Sequence, residues 1–172
     1  RAVKLHLKKA DTHFLELQKL NTQDLLPNDF QNIKEQFTKL ITLIELGDIQ
    51  QAISLESNLI EEMLELEVNS LIQIYLSDSY ELIEKANNLN AKSLSPSSLL
   101  KAQHASQATE AFIRTSYRDR NAIEEKAKIS KHLSEKLLYV TQEAYKLNTS
   151  SESEIEAIIL ADFKFLEEVK KA

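Results

Sequence analysis

Leu20-Asn21-Thr22-Gln23-Asp24-Leu25-Leu26-Pro27 is answered 69 residues later by Leu89-Asn90-Ala91-Lys92-Ser93-Leu94-Ser95-Pro96, with two leucines, the asparagine and the proline in register. Each copy reads as the end of one helix at asparagine, a short extended connection, and a restart at proline. Proline's fixed φ and missing N–H suit a first helical turn. A third, partial copy opens at Leu147-Asn148-Thr149. The repetition predicts an internal duplication within a single helical domain over 1–172, with repeats at about 1–88 and 89–146 and a partial copy at 147–172.

The stretches between these connections carry helical periodicity. After Pro27, the residues Phe30, Ile33, Phe37, Leu40, Ile41 and Ile44 recur at three- and four-residue steps, opposite Gln31, Lys34, Glu35 and Lys39. Gly47, the only glycine, has free access to positive φ and predicts a C-terminal cap, with Asp48 placed to cap the next helix. From 49 to about 89 neither glycine nor proline occurs, and Ala52, Leu55, Leu59, Met63, Leu66, Leu71, Ile74, Tyr75 and Leu82 keep a helical stripe over about 60 Å. Val68-Asn69-Ser70 and Ser77-Asp78-Ser79 are the weakest points of such a helix, because short polar side chains compete for backbone hydrogen bonds, and its continuity is left open. Ser95 before Pro96 reads as an N-cap, and Ser151 with Glu154 three residues later as a capping box. Leu99, Ala102, Ala105, Ala108 and Phe112 lead to a turn near Ser116-Tyr117-Arg118-Asp119. Ile123 through Leu147 mark a return helix, and Ile155, Ile158, Ile159, Asp162, Phe163 and Leu166 a last one. The expected fold is all-α: an elongated, antiparallel helical bundle of about six helices.

Composition narrows the function. One glycine, two prolines and no cysteine or tryptophan leave no material for glycine-looped phosphate sites, disulfide staples, thiolate nucleophiles or cysteine-containing zinc sites. A formal charge of −6 and a pI near 5.3 oppose nucleic acid and anionic lipid as partners. No apolar run approaches the roughly 18 residues of a membrane span. The first residue is Arg1 rather than methionine, which leaves a targeting segment upstream open.

The candidate sites follow from residue chemistry. His6 and His13 lie seven residues apart without a carboxylate at coordinating spacing. The residues three before His13, His104 and His132 are Ala10, Lys101 and Ile129, so the Glu-x-x-His pattern of di-iron bundles does not occur. Neither a metal, a cofactor nor a catalytic group is expected. Glu56, Glu61, Glu62, Glu65 and Glu67 interleave with apolar residues and read as a solvated helix face. A protein partner is expected, at two surfaces. Leu64, Ile72 and Leu76 lie off the main stripe of the long helix, as a docking face or as core. Arg114, Arg118 and Arg120 gather around Tyr117, either to fork onto an acidic partner or to form a local network with Asp119.

Leu26-Pro27, Phe30, Ile33, Phe37, Leu40, Leu46-Gly47-Asp48-Ile49 and Ala52 together resemble the helical repeats of unknown function found ahead of OmpA-like peptidoglycan-binding domains in bacterial envelope lipoproteins. The second copy, from Leu94-Ser95-Pro96-Ser97-Ser98-Leu99 through Ala102, Ala105, Phe112-Ile113, Arg118-Asp119-Arg120 and Ala127, is similar to that family's passage from a proline-started helix through an arginine-rich turn. The resemblance covers about residues 20–150. It implies a non-enzymatic, elongated scaffold or protein-interaction module in the periplasm or at the outer membrane, near a membrane or cell wall through regions outside this chain. Two other classes fit the residues: the extracytoplasmic ligand-sensing bundle of a transmembrane receptor, and a cytosolic adaptor or secreted bacterial effector. Oligomeric state is not legible.

Overall fold

The computed structural model describes residues 6–171. Among them are eight helices: α1 (Lys8–Lys19), α2 (Thr22–Leu25), α3 (Pro27–Glu45), α4 (Ile49–Asn88), α5 (Ala91–Leu94), α6 (Pro96–Ser116), α7 (Arg120–Thr149) and α8 (Glu152–Lys171). The all-α class is as expected, and the helices pack as a bundle. The count differs because each connection, expected to be extended, closes into a single helical turn.

From the asparagine onward the two connections share one bonding pattern. Asn21 and Asn90 adopt left-handed conformations, at φ 59 and 65. The Asn21 N–H donates to the Gln18 carbonyl and the Asn90 N–H to that of Asn87, closing the helix before. Each asparagine carbonyl then accepts from the third and fourth residues onward, starting the new turn: Asp24 and Leu25 in one copy, Ser93 and Leu94 in the other. Leu26 (φ −137) and Ser95 (φ −147) break the helical path, and Pro27 and Pro96 restart it. Asparagine suits the pivot because its short polar side chain tolerates the left-handed region. The third copy departs here: α7 runs straight through Asn148 to Thr149, and Asn148 keeps a negative φ.

Gly47, at φ +85, ends α3 as expected. Its N–H donates to Ile44 and that of Asp48 to Leu43, the paired bonds of a Schellman cap. At α8 the Ser151 N–H and hydroxyl both donate to Glu154 Oε2, each at 2.7 Å. These two bonds hold the Glu154 carboxyl below its ordinary range. Ser95 holds the N-cap position, its carbonyl accepting the Leu99 N–H, but its hydroxyl bonds to that of Thr141 at 2.7 Å and not to the helix start.

Helix α4 is continuous from Ile49 to Asn88, through both weak points of its sequence. Ser70 and Ser79 there turn inward. Ser70 donates to the Leu66 carbonyl and pairs with Thr22, and Ser79 accepts from Ser130, so each hydroxyl has a bonded partner. The helix also exchanges its buried face midway. Ala52, Leu59, Met63, Leu66 and Ser70 are buried on one side; at 100° per residue, Val68, Leu71, Leu76, Ser79, Ile83 and Ala86 fall on the opposite side.

The chain forms two compact units, and three helices contribute segments to both. Unit 1 takes the described residues up to Ser77 together with Ala108–Ala127; unit 2 takes Asp78–Gln107 and the described residues from Lys128 onward. The units interleave along the chain, whereas the sequence repeats are consecutive. Unit 1 holds a large core around Phe30, Phe37 and Met63, with Phe14 stacked on both phenylalanines, and a second around Leu71, Leu76, Ile113 and Ile123. Unit 2 is built around Ile83, Ala102 and Leu137. Its packing is tight where side chains are small: Ser106, Ser130 and Ser134 are all buried, and Ser130 bonds to both Ser106 and Ser79.

Candidate functional site

The arginine turn sits over a buried carboxylate. Glu67 on α4 is 1% exposed, and its Oε1 receives Arg120 Nη2 at 3.1 Å and Arg118 Nη1 at 3.2 Å. Arg118 also lies 3.9 Å from Glu16 on α1 and 4.9 Å from the centre of the Tyr117 ring. Glu16 is held below the usual carboxylate range, first by its hydrogen bond from Lys19, then by the charges of Lys19, Arg118 and Arg120, with burial opposing them. The expected Arg–Asp119 network is thus replaced. Asp119 Oδ1 accepts the backbone N–H of Ala122 at the start of α7, and Arg114 pairs with Glu110 on its own helix. The turn therefore draws its acid from a distant helix, a partner that local spacing cannot display.

Glu67 also departs from the solvated face expected for its cluster. Glu61, Glu62 and Glu65 are exposed; half-buried Glu56 accepts the Ala10 N–H from the start of α1. Asp29, Asn32, Glu62, Glu65 and Asn69 line a cavity of about 250 Å³ between α3 and α4. Among the described residues no group of three His, Cys, Asp or Glu is placed to hold a metal ion. His13 is half-buried on α1, with Nδ1 shielded from solvent.

Of the apolar candidates on α4, Leu76 and Ile72 fall on the core side of the two readings open to them. Leu76 is 0% exposed, in the second core of unit 1, and Ile72 packs against the same residues. Leu64 is half-buried. They left the sequence stripe because α4 changes its buried face there. Conversely Ile74, which lies on that stripe, is exposed.

The most exposed apolar surface lies on α8. Phe163 is 60% exposed and Phe165 65%, and Ile159, Leu160, Leu166 and Val169 are exposed beside them, while Ile155 and Ile158 are half-buried. The sequence signal for this helix was plain; what the periodicity could not show was that no described segment covers it. None of the described helices is long and apolar enough to cross a membrane. Compared with known proteins, the chain matches no family model, no curated protein and no solved structure.

Proposed function

We propose that the chain is a non-enzymatic helical scaffold that presents α8 to a protein partner. The observation that carries this reading is the α8 surface: large aliphatic and aromatic side chains, more than half exposed, contiguous along a capped helix. Solvent contact at that many apolar groups is unfavourable by roughly 25 cal/mol per Å² and favours a covered state. The arginine turn supports a scaffold role, since its charges are directed at Glu67 and Glu16 rather than at a pocket. A place in the bacterial cell envelope rests on the family resemblance of residues 20–150.

A photo-crosslinking side chain at Phe165, introduced in the cells that make the protein, tests the interaction. A discrete adduct with another polypeptide is the expected result. Adducts confined to the chain itself would mean that α8 folds back, and would end this reading.

A further inference from the structure

Helices α3 and α6 each follow a copy of the repeated connection and α8 follows the third, partial one, which does not form the same turn; positions in all three can be numbered from the first helical residue. The buried residues of α3 are Phe30, Ile33, Phe37, Leu40 and Ile44, at positions 4, 7, 11, 14 and 18. In α6 the same five positions carry Leu99, Ala102, Ser106, Thr109 and Ile113, all buried. In α8 they carry Ile155, Ile158, Asp162, Phe165 and Val169. The return helices α4 and α7 supply residues to the clusters that cover the first two stripes. On α7 the covering residues recur as Ile123, Ala127, Ser130, Ser134, Leu137 and Thr141, with Ser130 bonded to Ser106 at position 11. The α8 stripe has the same layout, with Asp162, Phe165 and Val169 exposed.

Resting on the proposed scaffold reading, we infer that α8 is the opening helix of a third hairpin completed by a partner protein's basic amphipathic helix. The partner helix lies antiparallel on this stripe and places a lysine or arginine opposite Asp162. Charge selects this occupant. Asp162 stands at the centre of the stripe and Glu154 on its flank, while Glu156 and Lys164 both lie on the side away from it. A second copy is disfavoured, because the five positions are nearly symmetric about Asp162, and an antiparallel pair of α8 helices would set that carboxylate against its own twin. An anionic bilayer meets the same repulsion. The chain already shows the favoured solution at Glu67, where a carboxylate on an apolar helix face receives arginine.

The test uses the full chain and a fluorescent synthetic peptide of residues 120–141, the basic helix that faces α6, carrying Ser130→Lys. Anisotropy should show binding at least about tenfold tighter than for the same peptide carrying Ser130→Glu. Asp162→Lys in the chain should invert that preference, and Phe165→Lys should abolish both, with circular dichroism unchanged. No binding, or binding indifferent to these charges, overturns the inference. So does a chain that sediments as an α8-dependent dimer at neutral pH, or one that prefers vesicles of phosphatidylglycerol. A heterologous crosslink at Phe165 combined with charge-indifferent binding would leave the scaffold reading standing and remove only the basic helix.

Discussion

At Glu67, a carboxylate that is 1% exposed sits between two guanidinium groups, and its replacement leaves Arg120 facing a site shaped for an anion. Glu67→Ala is expected to destabilise the protein by about 2–3 kcal/mol, below the range for a fully buried pair because both arginines keep some solvent contact. Arg118→Ala, at a half-exposed partner, should cost less than about 1 kcal/mol. Urea denaturation of the single variants, and of Glu67→Ala combined with Arg120→Met, reads both effects. The double variant should recover part of the loss, and a Glu67→Ala protein as stable as the parent would rule out the structural role. From sequence, Glu67 is one glutamate among five at similar spacing. What separates it from Glu61, Glu62 and Glu65 is that arginines 51 and 53 positions away in the chain converge on it.

Among the elements, the repeated connections were the most legible, and also where local geometry was misjudged. Leucine, asparagine and proline at fixed offsets announce a helix end and a helix start, and both are present. The intervening residues coil rather than extend because the left-handed asparagine redirects the chain while its carbonyl nucleates the new turn. Asn90→Gly should leave stability within about 0.5 kcal/mol, whereas Asn90→Ala should lower it by about 1 kcal/mol, since only the latter raises the cost of positive φ. Thermal unfolding distinguishes them, and equal behaviour of the two variants would remove the conformational explanation. Helix α4 was legible in length but not in orientation. A stripe extrapolated along 40 residues assumes one buried face; α4 buries one face through Ser70 and the opposite one from Val68 onward, which is why Leu76 and Ile74 exchange roles. The buried serines were illegible for a related reason. A hydroxyl bonded to the carbonyl four residues back carries no apolar signal, yet it allows helices to approach closely.

Across the whole molecule, the two units interleave, so contacts distant in sequence decide which segments share a core. Helix α8 stands apart in its apolar exposure. Ending the chain after Ser150 should therefore leave the urea midpoint unchanged within the error of about 0.5 kcal/mol for substitutions away from packed sites. A midpoint that falls by the equivalent of 2 kcal/mol or more, on the order of one lost core side chain, would show that α8 is covered by its own chain. By itself the sequence determined the helical class, the six long helices, the Gly47 cap and the twice-used connection, because each depends on residues within a turn or two of one another. Only the tertiary structure decided that Glu67 is buried under the arginine turn, that α4 changes faces, and that the described residues leave Asp162, Phe165 and Val169 of the α8 stripe exposed. Those outcomes depend on which surfaces meet in space, and hydrophobic periodicity records that a face needs covering without recording what covers it.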